Sequence, residues 1–561
     1  MYPANITRAE AKARAAQLTT TSYHVTVDLT GSATTFTSTS TISFTSLAGT
    51  TFVDLLADSI VEATLDDAPL DVSSYTGERL EVELAEGAHV LAITAVCRYS
   101  NTGEGLHRFV DPVDDRVYCY TQLEVADARR VYACFDQPDL KATFALSVIA
   151  PAHWTVLSNS PEVEPLVAGE LGRWQFAATP AVSTYITALI AGEYHTVRTV
   201  HQGRDAEIPL SLSCRVSMAP HLDSDRLFET TERGFEVFEE HFGAAYPFSD
   251  YAQVFVPEFN AGAMENAGCV TIRDEYLYRS RVTAASYESR DNTILHEQAH
   301  MWFGDLVTMT WWDDLWLNES FAEWASHFAQ DEISKRWGGS DPWATFCNQR
   351  KTWAYRQDQL PSTHPIAADM VDLEAVELNF DGITYAKGAS ALRQLVAFVG
   401  LEPFLAGVRT YFARHAWGNT QLTDLLAALE ESSGRDLSFF TGQWLQTAGV
   451  NTLSSDYEVD EEGRFSRFSV VQSANEQWPT LRRHRIGIGL YEPSDGDIER
   501  VHRVEVDIDG ARTDIDALVG VPVPAVVLLN DGDLSYAKIR VDRGLDVVVA
   551  RIHEFRDPVS R

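Results

Sequence analysis

The hydrophobic period of this chain changes three times, and that change limits the folds open to it more than any other feature. From about residue 19 to 194 apolar residues alternate, as at Tyr23, Val25 and Val27, and turns such as Asn101-Thr102-Gly103 interrupt at short intervals. A period of two puts alternate side chains on one face of a strand, so this region is predicted to be all-β. From about 209 to 451 the period is helical, with long segments near 227–242, 289–303, 318–337 and 384–399. Alternation returns from 452 to about 542, at Ile486, Ile488 and Leu490 and again at Val504, Val506 and Ile508, which predicts a β-sandwich. A last helical piece, 545–555, stops before Asp557-Pro558, with an apolar stripe around Val547, Val548 and Ile552 expected to be under-covered.

The expected fold is therefore multidomain α+β, in line with the three or four units that 561 residues suggest at ~150 per domain. The segments read as an N-terminal β domain over 1–194, a mainly helical domain over 195–451, a small β-sandwich over 452–542, and the start of a further helical domain over 543–561.

Charge narrows the partners. The chain has 81 Asp and Glu against 44 Lys and Arg, a net −37, which repels phosphate backbones and anionic lipid and favours cationic ligands. Nucleic acid and membrane are not expected partners. The six cysteines are scattered without a C-x-x-C pair, as expected of reduced core residues. No apolar run reaches the ~18 residues of a membrane span, and residues 1–18 alternate charge with alanine instead of carrying a signal-peptide core. A cytoplasmic location is expected. Thr7 and Glu10 form a T-x-x-E capping box, so the first segment reads as a short amphipathic helix.

The strongest chemical signal is His296-Glu297-Gln298-Ala299-His300 within a helical stretch. Spacing of i, i+4 puts both imidazoles on one helix face, able to share one metal ion, with Glu297 beside it. A solvated helix face with two surface histidines has the same spacing. Asn318-Glu319-Ser320 opens a second helix, whose apolar Phe321, Trp324, Ala325 and Phe328 leave Glu319 and Glu323 on another stripe. Hydrolytic zinc takes three protein ligands, often two His and one Glu, and Glu319 completes that set. Glu323, one turn on, suits either an acceptor that orients a ligand histidine or a salt bridge.

With these residues placed, the sequence resembles the gluzincin metallopeptidases, and in particular the aminopeptidase N family. Gly262-Ala263-Met264-Glu265-Asn266 matches that family's G-A-M-E-N motif, Tyr385-Ala386-Lys387-Gly388 its Y-x-K-G, and Thr121-Gln122-Leu123-Glu124 its T-Q-x-[EQ] segment. Longer stretches, including the run from Trp302 through Asp305 to Thr308, also read like the actinobacterial branch. The resemblance implies a thermolysin-like catalytic domain, one Zn2+ per chain held by His296, His300 and Glu319, and hydrolysis of the N-terminal residue from peptides. It makes Glu297 the general base and Tyr385 the oxyanion donor. Glu265 and Glu124 would pair with the substrate's α-ammonium, and the backbone of Gly262, Ala263, Met264 and Asn266 would line the peptide. A relative that opens an epoxide with the same zinc, as leukotriene A4 hydrolase does, shares these motifs, and a non-catalytic member would be expected to have lost ligands that are all present here. Gln298 departs from the family's usual aliphatic residue, so a polar group is expected on the packing side of the helix, at a modest stability cost.

Overall fold

The computed structural model describes residues 5–494 and 496–561; the first four residues of the N-terminal segment and Asp495 lie outside them. The chain forms two compact units, Met1–Asp314 with Met370–Glu377 and Phe412–Gln421, and Leu315–Asp369 with Leu378–Tyr411 and Leu422–Arg561.

The first unit opens with helix α1 (Arg8–Gln17). Its capping box is formed: the Glu10 N–H donates to Thr7 Oγ1 at 3.2 Å and the Thr7 N–H to Glu10 Oε2 at 2.8 Å. The helix is not simply charged outward. Arg14 is buried, donating to Asp54 Oδ2 and Gln137 Oε1 at 2.6 Å each, so α1 is pinned by an ion pair whose disruption costs about 3–5 kcal/mol. Behind it lies an eight-stranded sheet, in which Thr35–Ser46 shows the predicted alternation: Phe36, Ser38, Ser40, Ile42, Phe44 and Ser46 are buried in turn. A separate four-stranded sheet contains Val117–Gln122, the strand that delivers Glu124.

The stretch read as helical from about 209 begins instead with a five-stranded mixed sheet, ordered Tyr194–Gln202, Glu207–Arg215, Tyr251–Val256, Cys269–Arg273 and Ala263–Met264. Every residue of Tyr251–Val256 is buried, so the strand has no polar face and no period of two to read. Helices α2 (Ser224–Phe242) and α3 (Ala284–His300) accompany this sheet. Trp302, just past α3, is fully buried among Phe235, Phe238, Phe242 and Tyr246, with ring centroids 5.8–6.4 Å away. Truncating such a side chain costs about 3–5 kcal/mol, and this cluster anchors the end of α3 that carries the histidines.

Gln298 meets the expectation of a buried polar side chain. Its Nε2 donates to Thr231 O at 3.0 Å, while Oε1 has no hydrogen-bond partner among the described residues and sits over Gly234. A Cβ at position 234 would lie 1.9 Å from that oxygen and 2.6 Å from Leu295 Cδ2. Glycine is required there by the close approach of α2 and α3. Gly234→Ala is expected to destabilise the unit by about 1–3 kcal/mol through overpacking, despite alanine's better helix propensity. A lower urea midpoint at constant m-value is the expected result; an unchanged or higher midpoint would contradict it.

The second unit starts with helix α4 (Leu315–Trp337), buried on all sides from Leu315 to Ala329. The helix begins at Leu315, so Glu319 stands in its second turn and not at its opening as the sequence suggested. Segment 384–399 is a wide π-helical turn, Ile383–Lys387, continuing as the helix Gly388–Val399. It presses on α4 at Gly388, where a Cβ would fall 1.8 Å from Ser320 Oγ, and Ser320 Oγ donates to Thr384 O at 2.6 Å. The β-sandwich follows, with a core of Leu453, Phe465, Phe468, Ile486, Ile488 and Leu529. The final helix is Leu545–Arg551. Here the expected stripe is corrected in part: Val547 and Val548 pack against Tyr491, Ile498, Val526 and Phe555, whereas Ile552 is exposed as expected, together with Leu545 and Val549. All six cysteines are free thiols, five of them buried.

Candidate active site

The first unit supplies two imidazoles from the last turn of α3. His296 Nε2 and His300 Nε2 lie 3.1 Å apart. Two zinc–nitrogen bonds of ~2.0–2.1 Å at a tetrahedral angle would set these atoms about 3.3 Å apart, so the pair has the spacing a shared ion needs. The tautomer fits as well. His300 Nδ1 lies 3.1 Å from Phe303 O, which only a ring N–H can satisfy, so Nε2 is the nitrogen that faces His296 and would face a shared cation. Glu297, between them, is 5% exposed.

The turn after α3 secures this geometry. The Asp305 N–H donates to His300 O at 3.0 Å, and Lys141 Nζ donates to the carbonyls of Asp305 and Leu306 at 3.0 and 3.3 Å. Burial, with the neighbouring Glu265 carboxylate, pushes the Asp305 carboxyl well above the usual range, and neither of its oxygens has a hydrogen-bond partner among the described residues.

Glu124 and Glu265 converge in the same unit, with carboxylate oxygens within 4.8 Å of one another. Two carboxylates at that spacing suit one ammonium group between them. Glu265 is 3% exposed and its Oε1 lies 3.9 Å from His300 Nδ1. Gln122 Nε2 donates to Met264 Sδ at 3.5 Å, joining the segment before Glu124 to the one holding Glu265. Ala263–Met264 is an edge strand of the five-stranded sheet, pairing with Ile272 and Thr271 on one side only among the described residues. Space around the Cβ direction of Gly262 is open among the described residues. Asn266 points inward: its Nδ2 donates to Thr271 Oγ1 at 3.3 Å and its carbonyl accepts from the Cys269 N–H, closing the hairpin.

The second unit contributes Glu319 on α4 and Tyr385 on the π-helical turn. Glu319 is buried, a carboxylate of metal-ligating type on a helix that packing holds on every side. Glu323 takes the salt-bridge role of its two readings, meeting Arg350 through both oxygens at 2.6 and 2.8 Å. Tyr385 is half-buried, its ring 6.1 Å from that of Trp353.

The sequence matches the family described as Peptidase M1 N-terminal domain over residues 19–186 and that described as Peptidase family M1 domain over residues 226–444. It is 54% identical to Aminopeptidase N of Streptomyces lividans over 572 aligned residues, covering 99% of this chain and 66% of that protein. The chain belongs to peptidase family M1. Other M1 relatives include Aminopeptidase M1 of Arabidopsis thaliana, 36% identical over 64% of this chain and 40% of that protein. Tricorn protease-interacting factor F2 of Thermoplasma volcanium is 35% identical over 64% of this chain and 45% of that protein. The chain thus spans under two thirds of the length of each of these M1 relatives. Among the described residues of this M1 chain no single helix is long and apolar enough to cross a membrane.

Spacing in the sequence led to the histidines, Glu297 and the glutamates, but not to Lys141, Asp305 or Arg350. Lys141 reaches its carbonyl partners from 164 and 165 residues away, and no period or motif links them. Asp305 lies inside the run that resembles the family, yet its task is done by its main-chain N–H, which leaves no residue-type signal.

Proposed function

We propose that this chain is a zinc-dependent aminopeptidase that removes the N-terminal residue from peptides. The observation that carries the reading is the convergence of two imidazole nitrogens from one helix face, His296 Nε2 and His300 Nε2, 3.1 Å apart, with Glu297 between them in the sequence. Glu319 is the third ligand in this reading, giving the His, His, Glu set of hydrolytic sites with one position left for water. A bound zinc ion supplies Lewis acidity there, lowering the pKa of water toward ~7 and polarising a carbonyl.

The remaining work falls to side chains. Glu297 accepts the proton of the attacking water at a carboxylate oxygen and passes it to the leaving nitrogen. Tyr385 donates its phenolic hydrogen to the carbonyl oxygen as negative charge develops on it. Glu265 and Glu124 hold the α-ammonium, so the first peptide bond is the one presented. The free side of Ala263–Met264 pairs with the substrate main chain as an added strand, which holds a peptide whatever its side chains.

Zinc content and turnover of an aminoacyl chromogenic amide test this directly. Chelation should abolish turnover and added zinc restore it; a metal-free chain with full activity would end the proposal. N-acetylation removes the charge that the carboxylates recognise, so acetylated peptides should be very poor substrates, and Glu265→Ala should raise KM for free ones. Cleavage of acetylated peptides at the rate of free ones would instead describe an endopeptidase.

A further inference from the structure

The turn Ile383–Lys387 that carries Tyr385 is fixed at its start by Asp381. Oδ1 of Asp381 accepts the main-chain N–H groups of Ile383 and Thr384 at 2.9 and 3.1 Å, two donors that a helix start leaves without partners inside the helix. The other oxygen, Oδ2, lies 3.1 Å from His364 Nε2, and His364 Nδ1 lies 2.7 Å from Pro365 O. Both ring nitrogens therefore face acceptors. A neutral imidazole has one N–H and serves only one of them; the imidazolium serves both.

We propose that His364 and Asp381 are a positioning dyad for Tyr385, in which protonated His364 holds Asp381 against the start of the turn and loss of that proton loosens the turn and slows the reaction. The consequence for rate rests on the reading of Tyr385 as the oxyanion donor.

The charges around His364 agree. Burial opposes its charged form, but the bonds to Asp381 Oδ2 and Pro365 O, with the Asp381 charge, outweigh it and raise the pKa above the ordinary 6.5. Lys387, in the same turn, opposes the charge too, but it is paired at 2.9 Å with Asp358, both fully buried. Asp358 also accepts from Thr363 Oγ1 at 2.7 Å, next to His364. A raised folded-state pKa means the dyad is complete below ~6.5 and is lost as pH rises through the higher folded value.

The test uses the zinc-loaded full chain, with kcat and KM for an aminoacyl chromogenic amide from pH 5.5 to 9, and hydrogen exchange of peptides covering 381–387. His364→Gln, which keeps one donor and no charge, should lower kcat about tenfold at the acid end, leave KM unchanged, and flatten the alkaline limb of kcat. In the wild type, protection of 383 and 384 should fall with pH faster than intrinsic exchange explains. An unmoved alkaline limb in the variant, or wild-type protection that follows intrinsic exchange alone, overturns the dyad. Should the variant fail to fold, the wild-type exchange still decides. Tyr385→Phe separates the two readings: full kcat in that variant removes the oxyanion assignment and the rate consequence with it, whereas lost kcat with a pH-independent turn removes the dyad alone.

Discussion

Glu297→Gln is expected to keep zinc bound and to lower kcat by about 10²–10⁴-fold, the usual contribution of a positioned general base. The substitution preserves shape and hydrogen-bonding reach at a site that is 5% exposed, so packing in the last turn of α3 should be retained. What disappears is a lone pair basic enough to take a proton from water. Glu319→Ala gives the contrasting result, loss of metal affinity, because a ligand and not the base is removed. Metal analysis and kinetics on both purified variants check the pair. Wild-type turnover in Glu297→Gln would refute the mechanism, and equal metal loss in both would move Glu297 into the ligand set.

Tyr385→Phe is expected to lower kcat by about 10²–10³-fold with little change in KM. The phenolic hydrogen bond strengthens only as charge builds on the carbonyl oxygen, so its removal acts on the transition state and leaves the bound ground state alone. The ring's place beside Trp353, at 6.1 Å, does not depend on the hydroxyl, so the variant should fold normally. A rise in KM with kcat unchanged would make Tyr385 a substrate-binding residue.

The parts of this fold that could be read in advance are those where one element alone writes the pattern. The alternation of Thr35–Ser46 and the i, i+4 spacing of His296 and His300 belong to a single strand and a single helix. Tyr251–Val256 escaped because burial on both faces erases the period, and α4 showed only its later part because Leu315, Trp316 and Leu317 extend it without a polar face. Contacts between elements leave still less trace. Arg350 on Glu323 and His364 on Asp381 each join residues on separate segments, and neither partner's neighbourhood in sequence announces the other.

The wide turn Ile383–Lys387 ties the direction of Tyr385 to residue count. A π-helical turn holds one residue more than the α-helix it interrupts, while successive α-helical residues are set about 100° apart. Deleting a single residue from 383–387 would let the turn close into regular helix with the segments on either side keeping their bearing, so the displacement would fall on the residues inside the turn, Tyr385 among them. Most helices absorb such a change as a shift of surface pattern. Here a length change that hardly alters composition would swing the phenol away from its bearing, so this short stretch should tolerate many side-chain replacements and almost no gain or loss of a residue.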